Sequence, residues 1–142
     1  MKYAWSKKVA LSTMTLTVVS GAVFAQTGTF DAGKDEYNTN CAACHGTDAK
    51  GKGPYSAYLR SAPTDLTTLS KRNGGVLPVN RLYQTIEGAD VPSHGTRDMP
   101  IWGSAYRAEA RDYLVGPNQN RDGYVRSRIL TLIDYLNRVQ SQ

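Results

Sequence analysis

Cysteine is nearly absent from this 142-residue chain: Cys41 and Cys44 are its only two. A centre built on four thiolates, whether zinc or an iron–sulfur cluster, is therefore excluded within the chain. Histidine is as scarce, with His45 and His94 alone, and two of the three methionines, Met1 and Met14, fall in the first 25 residues. No segment sustains the apolar–polar alternation of a half-buried strand, so a sheet is not expected. Residues 26–142 contain no internal repeat, low-complexity segment or linker. A basic run interleaved with aromatics is missing too, which speaks against nucleic acid as a partner. Paired carboxylates, a nucleophile beside a base and a phosphate-cradling glycine loop are likewise lacking. No catalytic residue can be nominated.

The longest apolar stretch lies at the N-terminus. Lys2, Lys7 and Lys8 precede Val9 to Phe24, and Val23-Phe24-Ala25 offers small residues at the positions a signal peptidase reads. Residues 1–25 are therefore expected to be a signal peptide, cut after Ala25. A retained anchor is the alternative, but a span wants about 20 strongly apolar residues. Ser12, Thr13, Thr15, Thr17 and Ser20 dilute this stretch. Cutting 25 of the 142 residues would leave 117, a size suited to one domain spanning 26–142. It would also leave 14 of the 17 basic side chains against all 12 acidic ones, so the net charge of +5 comes largely from the leader. The expected destination is the periplasm, with no membrane span after cleavage.

The two cysteines stand in Cys41-Ala42-Ala43-Cys44-His45. Thiols separated by two residues are spaced to add to the two vinyl groups of one porphyrin, and a histidine directly after the second is held where a ring nitrogen can coordinate the iron. The expected cofactor is one covalently attached haem c, bound by Cys41 and Cys44 with His45 as an axial iron ligand. A tight disulfide is one alternative in an oxidising compartment, and a redox-active dithiol of thioredoxin type is another. Both fit less well with a histidine in that place and no strand–helix–strand pattern around it.

Three helical pieces are legible. The first runs from about Asp31 to Cys44, capped by Asp31 and ended by Gly46, with Ala32, Tyr37, Cys41 and Cys44 on one face. The second begins at Pro78, carries Val79, Leu82, Tyr83 and Ile86 at helical spacing, and closes at Gly88. The third starts near Asp122, with Val125, Ile129, Leu132, Ile133, Leu136 and Val139 as its stripe and Tyr135 at the edge. Short helical turns are expected at Tyr55–Leu59 and Tyr106–Leu114. Long loops join these pieces, as suits a chain whose core is partly supplied by a haem.

An electron-carrying iron needs a second axial group, because an open position invites oxygen or peroxide. Outside the leader only Met99 and His94 are left to supply it. A lone methionine is more often a core filler. Met99, however, sits in a polar, Gly-rich loop and is stiffened by Pro100. His94, between Ser93 and Gly95, reads as an exposed loop residue that would give bis-histidine iron. Met99 is favoured over His94, and an open sixth site is the remaining alternative.

Gly33-x-x-x-Tyr37-x-x-x-Cys41-Ala42-Ala43-Cys44-His45-Gly46, with Met99-Pro100 downstream and a last helix bearing Tyr135, resembles the small monohaem, His/Met-ligated class I cytochromes c. The resemblance covers almost all of residues 26–142. It implies an all-α cytochrome c fold in which the first and last helices cross closely at Gly33, with Tyr37 near Tyr135. It further implies that the Pro54 carbonyl accepts a hydrogen bond from His45, and that Pro63 to Leu66 and Trp102 line the pocket or hold the propionates. Gly116 to Arg121 is a polar insertion relative to the simplest members. The implied function is a periplasmic one-electron carrier, not an enzyme. Its expected partners are other redox proteins, a periplasmic dehydrogenase or a membrane oxidase or reductase, and a monomer is favoured. Lys50, Lys52, Lys71 and Arg72 are candidates for steering an acidic partner. The alternatives are a haem-bearing subunit of a dehydrogenase complex and a haem enzyme or gas sensor with an open sixth site.

Overall fold

Asp31 starts the first helix as expected: its carboxylate accepts from the Lys34 N–H at 3.0 Å, satisfying one of the unpaired donors of the first turn. The computed structural model describes residues 30–89, 99–114, 116 and 120–141. The expected leader, His94 and residues 117–119 of the polar insertion lie outside them. Helix α1 covers Ala32–Asn40, and after a turn at Cys41 the chain continues as α2, Ala42–His45. Gly46, at φ 80°, ends α2 in a backbone conformation costly for side-chain-bearing residues. Gly33, rather than the exposed Ala32, completes the buried face with Tyr37.

The remaining elements are α3 (Leu69–Arg72), α4 (Val79–Glu87), α5 (Trp102–Tyr113) and α6 (Arg121–Arg138), with 3-10 turns at Ser56–Tyr58 and Leu66–Thr68. Among the described residues there is no strand, and the expected all-α class holds. Pro78 caps α4 and Gly88, at φ 82°, closes it. Helix α5 starts four residues before the turn expected at Tyr106 and forms a fourth substantial helix. None of the described helices is long and apolar enough to cross a membrane.

Helix α6 is the spine. Val125, Ile129, Leu132, Ile133 and Leu136 are all buried, with Ile129 at 0 % exposure. Each such side chain contributes roughly 1.5–3 kcal/mol. Helices α1, α4 and α5 all pack on this stripe. The crossing with α1 is closest at Gly33, where a Cβ would stand 2.4 Å from the Thr131 carbonyl oxygen and 2.9 Å from Tyr135 Cβ. Tyr37 meets Tyr135 there with ring centroids 5.2 Å apart, a favourable aromatic separation. Its hydroxyl donates to the Gly46 carbonyl at 2.6 Å, joining α1 to the end of α2.

Candidate functional site

The helices enclose a cavity of about 500 Å³, within the usual span of cofactor sites. Cys41, Cys44 and His45 reach it from α1–α2, Met99, Pro100 and Trp102 from the start of α5, and Leu82, Ile86, Leu132 and Leu136 from α4 and α6. Leu59, Pro63 and Thr64 from the long loop, Leu66 from the 3-10 turn and Leu69 from α3 complete the wall. Cys41, Cys44 and His45 thus share one predominantly apolar space with Met99, far away in sequence. Met99 is half-buried. His94 lies outside the described residues.

A bond to the backbone helps to orient His45. Its Nδ1 lies 3.0 Å from the Thr64 carbonyl oxygen. A carbonyl only accepts, so Nδ1 carries the proton and donates. In the neutral ring Nε2 then carries the lone pair, the tautomer that coordinates a metal, and the bond makes the ring a better donor. The expectation that Pro54 would supply this carbonyl is incorrect. The N–H groups of Gly51, Gly53 and Tyr55 donate to the carbonyls of His45, Cys44 and Ala43 at 2.8, 3.0 and 2.9 Å. The loop around the exposed Pro54 is therefore occupied in covering the open end of α2. The chain returns to the imidazole only at Thr64, held there by the Leu66 N–H on the Ala49 carbonyl at 2.8 Å.

Among the other expected pocket residues, Pro63, Thr64, Leu66 and Trp102 do line the cavity. Asp65 instead caps the following 3-10 turn, accepting from the Thr67 N–H at 2.8 Å and hydroxyl at 2.7 Å. These two bonds hold its carboxyl below the ordinary carboxylate range.

Cys41 and Cys44 are not joined in a disulfide. Burial, followed by the charges of Glu36 and Cys44, pushes the Cys41 thiol up to about 12. A redox-active dithiol needs the opposite, a thiol whose ionisation is favoured. Among the described residues no three His, Cys, Asp or Glu side chains converge to hold a bare metal ion. Besides the two thiols, the described residues around the cavity include a nitrogen donor in His45 and a sulfur donor in Met99. This donor set fits a metal that brings its own equatorial ligands, as iron does in a porphyrin.

One group beside the site escaped sequence reasoning. Among the described residues Glu36 is the charged one that is buried, at 7 % exposure. Its Oε1 accepts from the Tyr106 hydroxyl at 2.6 Å and from Asn40 Nδ2 at 2.5 Å, and its Oε2 from Arg128 Nε at 2.6 Å. Asn40 also lines the cavity. Burial and the Glu36 carboxylate together hold the Tyr106 hydroxyl well above the ordinary phenol range. An i, i+4 pair such as Glu36 and Asn40 on an early turn was the one available signal.

The family model for cytochrome c matches residues 30–124. No curated protein and no solved structure matches the chain.

Proposed function

Because the chain belongs to the cytochrome c family, whose members carry electrons on covalently attached haem c, we propose that it is a one-electron carrier of the periplasm. One haem is bound through Cys41 and Cys44, with His45 and Met99 as the axial ligands of its iron. The observation that carries this reading is the convergence of all four side chains on one cavity, with the His45 tautomer fixed by Thr64. When bound, the haem supplies reversible one-electron exchange at iron. What the chain supplies is rigidity around it. The imidazole is held by a backbone carbonyl, and Met99 is followed by a proline and a helix. The two oxidation states then need little rearrangement. A thioether donor favours the ferrous state and places the potential above that of a bis-histidine site.

The leader at residues 1–25 supports export, and oxidised mature protein beginning at Gln26 in a periplasmic extract is its check. Lys50, Lys52, Lys71 and Arg72 are exposed, and Arg72 also lines the cavity. They suit a redox partner with an acidic surface, drawn by long-range attraction that salt screens.

The deciding experiment is spectroscopy of the exported protein. Its mass should include one haem, and its ferric spectrum should show the near-infrared band of sulfur–iron coordination. Met99→Ala should abolish that band, lower the potential and open the reduced iron to carbon monoxide. An unchanged band and potential in that variant would remove Met99 from the site.

A further inference from the structure

Burying a carboxylate is costly unless it is paired and fully hydrogen-bonded, and Glu36 is both. Beyond Tyr106, Asn40 and Arg128 Nε, its Oε2 meets Arg128 Nη2 at 2.5 Å. The donors come from three helices: Asn40 from α1 itself, Tyr106 from α5 and Arg128 from α6. Arg128 is fixed in turn. Its Nη1 lies 3.0 Å from Glu109 of α5 and 2.5 Å from the Tyr124 hydroxyl. Its guanidinium stacks 4.8 Å from the Tyr106 ring centre and 5.5 Å from that of Tyr124. Among the described residues no buried side-chain nitrogen or oxygen lacks a partner.

Helix α5 is the element that Met99-Pro100-Ile101 runs straight into. Its first residue, Trp102, lines the cavity and packs on Tyr106 with ring centroids 5.9 Å apart. The Glu36–Tyr106 bond therefore joins the helix leading to Cys41, Cys44 and His45 to the helix led by Met99, across 70 residues of sequence. The tie from α5 to α4, Arg107 to Glu87 at 2.7 Å, is 46 % exposed on the arginine side. Solvent and salt weaken such a pair, whereas Glu36 is shielded.

We propose that Glu36, acting through Tyr106 and Arg128, is a positioning residue for the sulfur ligand of the iron: it latches α5 to α1 so that Met99 stays in the cavity. The proposal rests on the reading of Met99 as sixth ligand. A network that merely joins helices would make a different prediction. Imidazole binds ferric iron only in molecules whose sulfur has left, so its apparent affinity scales with the fraction unlatched. A latch acts on that fraction.

The test is imidazole titration of ferric holoprotein, with the sulfur–iron band recorded in parallel. Tyr106→Phe removes one hydroxyl and keeps the ring. Losing a hydrogen bond to a charged acceptor should tighten apparent imidazole binding about tenfold. Glu36→Gln keeps an acceptor for Tyr106 but no charge for Arg128, and it should also tighten binding. It serves as the second variant should Tyr106→Phe not fold. Asp31→Asn is the control. It removes the charge from the clamp between Asp31 of α1 and Arg138 of α6 at 2.6 Å and touches nothing on α5, so it should lower stability and leave imidazole affinity as in the wild type. Unchanged affinity in both Tyr106→Phe and Glu36→Gln overturns the latch. So does an equal gain in Asp31→Asn, which would mean general loosening. A wild-type holoprotein without the sulfur–iron band overturns the ligand assignment itself, and the latch with it.

Discussion

Tyr37 combines the two demands placed on a buried polar side chain. Its ring is fully buried against Tyr135, and its hydroxyl donates to the Gly46 carbonyl at the turn that follows His45. Burial holds that hydroxyl above the ordinary phenol range, so it remains a donor at any working pH. Tyr37→Phe keeps the packing and removes one of two donors to the Gly46 carbonyl, which the Ala49 N–H still reaches at 3.1 Å, so it should cost about 0.5–1.5 kcal/mol. Urea unfolding followed by far-UV circular dichroism measures that loss, while the haem spectrum should stay as in the wild type. At this scale the chemistry was legible where residue type and short spacing carry it. Cys41, Cys44 and His45 fall within five consecutive positions, and Met99 stood out because so few sulfur or imidazole donors exist. Thr64 and Glu36 were not legible. Thr64 acts through its backbone, which every residue has. Glu36 looks like any charge on an early helical turn, and its partners Tyr106 and Arg128 lie 70 and 92 residues away.

At the scale of elements, the contact between α1 and α6 depends on a missing side chain. Gly33→Ala would improve helix propensity by about 1 kcal/mol. It would also push a methyl against the Thr131 carbonyl oxygen and Tyr135 Cβ, neither of which can rotate away. Overpacking of this kind costs about 1–3 kcal/mol and should win. A fall in the urea midpoint is expected, and a rise would mean the helices separate freely. The same pair of helices is tied at its rim by Arg138, whose Nη1 and Nη2 donate to the two Asp31 oxygens at 2.6 and 2.8 Å. That bond, and then the Lys34 N–H, hold the Asp31 carboxyl well below the usual carboxylate range. A depressed native pKa gives stabilisation that is full above the unfolded value of about 3.9 and is lost as pH falls toward the native one. Unfolding midpoints of the wild type and Asp31→Asn should therefore differ at neutral pH and converge below about pH 4. A gap that stays constant into strong acid would contradict the ion pair. The periodicity of α4 and α6 was plain in the sequence because each carries a long apolar stripe. The true start of α5 was not, since Gly103 reads as a breaker. Its role is tertiary: a Cβ there would stand 2.5 Å from the Glu87 carbonyl oxygen. Helix α3 is a single turn and leaves no period to read.

For the molecule as a whole, the cavity sets the terms of stability. Leu82, Ile86, Leu132 and Leu136 face a space of about 500 Å³ between helices that pack chiefly along α6. At roughly 24 cal/mol per Å³, a dry void of that size would cost on the order of 10 kcal/mol as an upper limit, comparable to the entire net stability of a domain. Water filling it would instead leave those leucines and isoleucines wet. Either way the chain without its haem should not hold the packing described here. Cys41→Ala/Cys44→Ala, which removes both attachment points, should retain part of its helical circular dichroism, because the α6 stripe and the caps are local. It should lose cooperative unfolding, bind a hydrophobic dye and expand, the behaviour of a state with collapse but no fixed tertiary contacts. The loss should exceed the sum of two surface-type substitutions many times over, because what disappears is the occupant of the core. Sharp cooperative unfolding of that variant at the holoprotein's midpoint would mean the helices close the cavity unaided. The long loops from 46 to 65 would then need a reason for their length other than wrapping a cofactor.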